Sequence, residues 1–571
     1  MIISFYLNKS PYFLRNFVAK SFFMQKNILL LFLFIATKTF AQDTRPYQSP
    51  NLVVGIIVDQ MRYDYLMRYW NKYGEGGFKR LINKGLNCEN THFNYMPTYT
   101  GPGHASIYAG SSPSAHGIIS NDWFSRAENK MVYCAEDTSV RNVGGGAKSG
   151  SMSPKRLISS NISDELRLFS QGKSKVIGIA LKDRGAIMPA GHAGNTAYWF
   201  DLRDTTGQWM TSSFYLKELP TWAKEFNAQK KANSYLSQVW NPLLPIQNYT
   251  ESTEDNTVYE GKYTGEEKPI FPHNLPVLRK TYGYPLIAAT PFGNSLTKDF
   301  ALAALKGEQL GQDQYPDLLA VSFSSTDYVG HQFGTMAVET EDTYLRLDRD
   351  LAEMFAYLDE NIPNKNYVIF LTADHGATYN PNYLKDHRIP AGLWNPLALE
   401  DSLRALCIKK WGDNFILSFD NQQIYLDKNK MQAKNLPETE IKAALIPFLL
   451  AQNGVENVFD AETFRTQEFT KDVASRIQNG YMPKRSGDLI VHFSAGWLDY
   501  GETGTSHGSP HNYDTHVPLL WYGKGIKSGT YTSHVNITDI APTLAILFNC
   551  SFPNACTGEP IEAVLKKEGK E

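Results

Sequence analysis

The sequence predicts an α/β protein built on a mostly parallel central sheet with helices on both faces, and three observations carry that prediction. First, short apolar runs at 51–58 (NLVVGIIV), 175–181 (KVIGIAL), 318–324 (LLAVSFS) and 367–371 (YVIFL) are continuous rather than alternating, as in strands buried on both faces. Second, these runs stop at or just before Asp59, Lys182, Asp327 and Asp374, and doubly wound sheets gather function at the carboxyl ends of their strands. Third, 342–358 (DTYLRLDRDLAEMFAYL) repeats apolar residues at three- and four-residue spacing, the pattern of a helix between strands.

A late strand at 518–522 and a helix after Asp539 (DIAPTLAILF) complete the expected core. Two stretches fit the alternation poorly. Residues 195–284, rich in aromatic, Asn, Pro and Thr side chains, read as an irregular insertion over the site, and 390–485, with a helix-like 438–450, as a smaller inserted subdomain. No repeat at a fixed period and no low-complexity tract interrupts the chain. The 571 residues suffice for one large domain at 43–571 carrying both insertions.

With 56 Lys+Arg against 58 Asp+Glu, the net charge of -2 gives no basis for non-specific binding to nucleic acid or anionic membranes. Any affinity for an anion must come from a local site. Residues 1–42 read as a signal peptide: Lys26 precedes the apolar run 28–36, and small or polar residues lead to Ala41. A periplasmic or secreted protein is expected, with Met24 as the candidate true start. Nine apolar residues fall short of the roughly 20 that span a bilayer, so no span is expected after cleavage; a retained anchor is the alternative. The five cysteines include Cys550 and Cys556, close enough to close a small loop, but the odd count leaves at least one thiol unpaired within the chain. No obligate protein partner is evident.

Residues that could hold metal recur at the strand ends. Asp327 and His331 stand four apart in STDYVGH, Asp374 and His375 are adjacent in TADHG, His507 lies in a loop of small residues (GTSHG), and Asp59 follows the first strand. Taken singly, a DxxxH pair or a strand-end Asp is a surface pair or a helix cap. Together they make six mixed nitrogen and oxygen donors, enough for two ions with three protein ligands each. That donor chemistry favours zinc over magnesium or calcium, with iron or manganese as alternatives.

Between the first two strands, MPTYTGPGHAS leads into a helix and places Thr100 at its entrance, where backbone amides and the helix dipole favour a phosphoryl group. An isolated threonine there would merely cap the helix. The two roles need not compete, because a metal at the hydroxyl would promote its ionisation and make it a nucleophile. Asn121 in SNDW could donate to a phosphoryl oxygen or serve a turn. Lys182 and Arg184 flank Asp183, and an extended backbone would project both cations to one side, suiting a dianionic phosphate; the alternative is an exposed charged turn.

These residues resemble the alkaline phosphatase superfamily, specifically the bacterial phosphate-irrepressible alkaline phosphatases with a threonine nucleophile. The similarity runs from Leu52 to about Thr557 through VVGIIVDQMRYDYL, MPTYTGPGHASIYAG, SNDWF, ALKDR, STDYVGHQFG, EDTYLRLDRDL, TADHG, TSHG, THVPLL and TDIAPT. It implies two zinc ions, one on Asp327, His331 and His507 and one on Asp59, Asp374 and His375, with Thr100 bridging toward the latter. It further implies that Asn121, Lys182 and Arg184 contact nonbridging phosphoryl oxygens, the cationic pair matching the extra charge of a small-molecule phosphate monoester. A departure is Gly101-Pro102-Gly103 directly after Thr100, which could alter the loop. Sulfatases of the superfamily need Cys or Ser followed by Pro and Arg, and Thr100 to His104 supplies neither the nucleophile nor the Arg. The expected activity is therefore monoester hydrolysis through a phosphothreonine. The rivals are a two-metal phosphodiesterase of the nucleotide pyrophosphatase type and a non-catalytic phosphate- or glycan-binding surface protein.

Overall fold

The computed structural model describes residues 49–203, 206–499 and 501–565; the signal peptide expected at 1–42 lies outside them. The four apolar runs form strands β1 (Leu52–Val58), β2 (Val176–Ala180), β3 (Asp317–Phe323) and β4 (Tyr367–Thr372), and every residue in them is buried. They run parallel in the spatial order β4-β1-β3-β2 at the centre of a ten-stranded sheet. Thr196–Phe200 extends this parallel core beyond β2, and Trp209–Ser212 and Asn142–Val143 follow antiparallel. On the other side Leu519–Gly523 pairs antiparallel with β4, and Leu86–Cys88 and Gly529–Tyr531 complete the edge.

Side chains alternate across the sheet, so adjacent rows meet different layers. Gly178, Ala320 and Gly55 share one row. On that face lie helices α1 (Thr100–Ala109) and α2 (Asp183–Ala190), close enough that a Cβ on Gly178 would strike the Ala186 backbone and one on Gly55 the Tyr108 hydroxyl. The next row contains Tyr198, Ile179, Val321 and Ile56. It faces the opposite layer, where Tyr198 packs edge-on, 5.3 Å between centroids, against Phe300 of α3 (Phe292–Gly307). Helix α4 (Ser325–Phe333) follows β3, and the long α5 (Val338–Asn361) packs along α3.

The structure corrects the reading of 195–284 as irregular throughout. Thr196–Phe200 and Trp209–Ser212, at its start, are fully buried sheet strands; their aromatic content comes from filling the space under α3, where Trp209 stacks on Phe300 at 4.3 Å. The remainder holds short helices and little sheet. It is anchored by buried Asp342 of α5, which accepts from Trp240 Nε1 at 2.7 Å, Leu243 N at 2.6 Å and Tyr249 Oη at 2.6 Å. The 390–485 stretch contributes three strands of a four-stranded antiparallel sheet; the fourth, Leu489–Phe493, lies beyond that boundary. Leu403, Ile441, Leu445 and Val491 form part of its own core. All five cysteines, Cys550 and Cys556 included, are unbonded. Among the described residues no helix is long and apolar enough to cross a membrane.

The insertion also carries a buried charge cluster. His273 lies between Glu266 and Glu339, at 3.0 and 3.2 Å, and Glu260 is pushed up to about 8 by burial and by Glu339. A carboxyl raised from about 4.5 to about 8 folds best protonated, so its contribution to stability is complete below the lower value and lost as pH rises through the upper. Glu260→Gln is therefore expected to raise Tm by about 2–5 °C at pH 9 and by at most about 1 °C at pH 5. Thermal unfolding of both proteins across that range checks it, and a pH-independent difference would contradict it.

Candidate active site

Strand register sets the site. Val58 pairs with Phe323, Ile57 with Thr372 and Ser322 with Ala180. Continuing these pairings one or two residues beyond the strands brings Asp59, Asp374, Ser324 and Lys182 to one level across four neighbours. Asp59 N–H still donates to Phe323 O at 3.1 Å, and Gln60 N–H to Asp374 Oδ1 at 3.2 Å. Ser324 is the N-cap of α4, which carries Asp327 and His331 one turn apart on one face, with His331 Nε2 3.1 Å from Asp327 Oδ1. His507 arrives from its loop with Nε2 3.5 Å from the same oxygen, and its ring stacks on His375 with centroids 3.5 Å apart.

Two groups bring three donor atoms each within 4.8 Å of one another: Asp59, Asp374 and His375, and Asp327, His375 and His507. The first coincides with one of the implied ligand sets. The second contains two members of the other set plus His375, while His331 stands beside Asp327. Asp59 Oδ1, Asp374 Oδ2 and His375 Nε2 are all buried without a hydrogen-bond partner, and His375 Nε2 lies 3.6 Å from each of the two oxygens. Donors about 2.0 Å from a tetrahedral ion lie about 3.3 Å apart, so the trio fits one divalent cation.

The electrostatics agree with that fit. Burial, then Asp374, pushes Asp59 well above the usual carboxylate range, and burial brings Asp374 to about 6. Asp327 is buried too, but His331 and Lys182 hold it well below that range. Burial takes His375 and His507 down to about 3, leaving them neutral as metal ligands must be. Lys182 Nζ joins the groups, donating to Asp59 Oδ2 and Asp327 Oδ2 at 2.6 Å each and standing 3.4 Å from Thr100 Oγ1.

Thr100 is buried and is the first residue of α1, after extended Tyr99. Tyr99 therefore holds the N-cap position, and Thr100 does not. At the head of α1 the expected anion cradle is only partly open. Gly101 N–H is donated to Asn121 Oδ1 at 2.8 Å, Pro102 has none, and Gly103 N–H bonds Tyr99 O, so side chains must supply most contacts to a bound oxyanion. Because Gly101 fixes which end of the Asn121 amide faces it, the Nδ2 donors point elsewhere. Gly-Pro-Gly leaves the helix start intact. Pro102 falls in the first turn, where its missing N–H is harmless, and a Cβ on Gly103 would come 2.4 Å from Asp374 O, so glycine lets α1 approach the Asp374 backbone.

Lys182 and Arg184 do not project from an extended segment as expected. Lys182 is the extended residue before α2, whereas Arg184 already lies in its first turn; Lys182 Nζ lies 5.1 Å from the centre of the Tyr328 ring, and Arg184 Nη1 donates to Tyr133 Oη at 3.1 Å. Sequence reasoning missed two neighbours. Gln60 reaches Asp327 Oδ1 through Nε2 at 2.7 Å from a left-handed backbone (φ 64°); its only signal is adjacency to Asp59. His104 lies one turn after Thr100, a spacing that was available. Its Nδ1 is 2.9 Å from Thr100 O and 3.4 Å from Asp374 Oδ2, and its Nε2 is 2.9 Å from Ser322 Oγ.

Residues 53–516 match the family model described as type I phosphodiesterase / nucleotide pyrophosphatase. The chain is 45% identical over 525 residues to a Myroides odoratus protein named calcium-transporting ATPase, covering 91% of this chain and 95% of that one. It is 43% identical over 545 residues to alkaline phosphatase PafA of Elizabethkingia meningoseptica, covering 95% and 99%. The crystal structure of wild-type PafA is 42% identical and matches with a TM-score of 0.88 over 91% of this chain and 99% of that one. A PafA variant structure, at TM-score 0.87, carries substitutions of a threonine, an asparagine, a lysine and an arginine. The ten-stranded fold, the two buried donor groups and this full-length similarity place the chain in the type I phosphodiesterase / nucleotide pyrophosphatase family, within the alkaline phosphatase superfamily and close to PafA.

Proposed function

We propose that the chain is an exported alkaline phosphatase that binds two zinc ions and hydrolyses small-molecule phosphate monoesters through a phosphothreonine on Thr100. One observation carries the reading: Lys182 Nζ contacts Asp59, Asp327 and Thr100 together, so both donor groups and the hydroxyl converge on one buried cation. The four residues substituted in the PafA variant stand 21, 62 and 2 positions apart, and Thr100, Asn121, Lys182 and Arg184 stand 21, 61 and 2 apart. Zinc is favoured by the mix of imidazole and carboxylate, with Asp59, Asp374 and His375 holding one ion and Asp327, His331 and His507 the other. Export rests on the leader pattern around Lys26.

In this mechanism Thr100 Oγ1 attacks phosphorus in line, forming a P–O bond as the ester P–O bond breaks. Water then cleaves the phosphothreonine, releasing phosphate and restoring the hydroxyl. Divalent ions bound in the two groups would supply Lewis-acid stabilisation of charge on the attacking and leaving oxygens. The chain's own part is orientation. Helix α1 fixes Thr100, whose carbonyl accepts from His104 Nδ1. Asn121 Nδ2 and the Arg184 guanidinium donate to nonbridging oxygens, and Lys182 adds a point charge. A monoester carries one more ionisable oxygen than a diester, so a pair of cations favours it.

A phosphodiesterase is the second reading, favoured by the description of the matching family model. A monoester and a diester of the same aryl alcohol, assayed on one preparation, separate the two. Lys182→Ala and Arg184→Ala are each expected to lower kcat/KM for the monoester roughly 10- to 1,000-fold, and for the diester much less. Undiminished monoester turnover in both variants removes the pair from recognition. Dialysis against a chelator should abolish hydrolysis, and added Zn²⁺ should restore it with about two ions bound per chain; full turnover by metal-depleted protein contradicts the metal assignment.

A further inference from the structure

Among the described residues, no carboxylate lies within ion-pair distance of the Arg184 guanidinium. Its side chain is instead held by a neutral relay. Arg184 Nη1 donates to Tyr133 Oη at 3.1 Å, and the Tyr133 hydroxyl donates to Asp183 Oδ1. These directions are forced, because a guanidinium only donates, a carboxylate only accepts, and the phenol has one proton to give. Asp183 Oδ1 also accepts the backbone N–H of Arg184 at 2.6 Å, which fixes the carboxylate at the head of α2. Arg203 closes the far side, its Nη2 3.8 Å from Asp183 Oδ2 and its guanidinium 5.3 Å from the centre of the Tyr133 ring.

The phenol separates two jobs that a direct ion pair would merge. A carboxylate bonded to Arg184 would orient it but also offset the charge that a phosphoryl dianion is to meet. A hydroxyl in between keeps the orientation and leaves more of the charge directed at the ligand. We propose that Tyr133, backed by Asp183, is a positioning residue that aims Arg184 at the phosphoryl group and thereby sets the preference for monoesters over diesters. Tyr133 comes from the strand Lys130–Tyr133, which pairs with Asp122–Ser125 directly after Asn121, so one hairpin serves both Asn121 and Arg184. This inference rests on the assignment of Arg184 as a phosphoryl contact.

Tyr133→Phe keeps the ring beneath Arg203 and removes only the hydroxyl. It is expected to reduce the ratio of monoester to diester kcat/KM by roughly tenfold. Adding it to Arg184→Ala should change that ratio no further, because the relay then has nothing to aim. Asp183→Asn, a second variant that keeps the shape, should shift the ratio in the same direction. Melting temperatures of the zinc-loaded variants report folding separately. A loss of selectivity in Arg184→Ala with none in either Tyr133→Phe or Asp183→Asn overturns the relay alone. Full additivity of Tyr133→Phe with Arg184→Ala also overturns it, and unchanged selectivity in all three single variants overturns the Arg184 assignment with it.

Discussion

Asp59, Asp327 and Asp374 are buried together beyond adjacent parallel strands, and their mutual repulsion is the constraint on which the rest of the site depends. In a low-dielectric interior such groups ionise only where cations meet them. Lys182 meets two, through one oxygen of Asp59 and one of Asp327. Asp374 receives a backbone N–H from Gln60, and its other oxygen faces His375 together with the second oxygen of Asp59. One ammonium against three carboxylates leaves a surplus of negative charge that divalent ions can compensate. The charge imbalance and the fit of the donors thus express the same requirement.

Nothing in this cluster stabilises the fold strongly, because buried charges give back in desolvation much of what they gain by attraction. The cluster persists because the sheet leaves it no alternative. Strands buried on both faces lock the register of β1, β2, β3 and β4, and the register aligns their exits. Helix α1 then presses against the exit of β4 through Gly103, bringing Thr100 to the same level. Positioning by backbone register is stiff in a way that long side chains alone are not, which suits chemistry dependent on in-line alignment.

Much of this was legible in the sequence. Continuous apolar runs gave the parallel strands because burial on both faces leaves no polar alternation, and the residues at their ends marked the site because that is where the strands open. What escaped had a physical reason in each case. Thr196–Phe200 reads as irregular chain because its aromatic residues reflect the bulk needed beneath α3. That Lys182 is extended while Arg184 is already helical depends on where α2 begins, a boundary that residue spacing alone does not locate. The use of the α1 amides by Asn121 and Tyr99 could not be read from spacing. Tyr133 lies 51 positions from Arg184 and carries no motif, so only the folded hairpin reveals it.

The most direct test of the account is to find where phosphate resides during turnover. Zinc-loaded enzyme mixed with an aryl phosphate at low pH, quenched in acid and digested, should yield a peptide carrying phosphothreonine at Thr100, and Thr100→Ala should yield none. A protein that turns over the same substrate at full rate with Thr100 unmodified under those conditions and with undiminished activity in Thr100→Ala would contradict it.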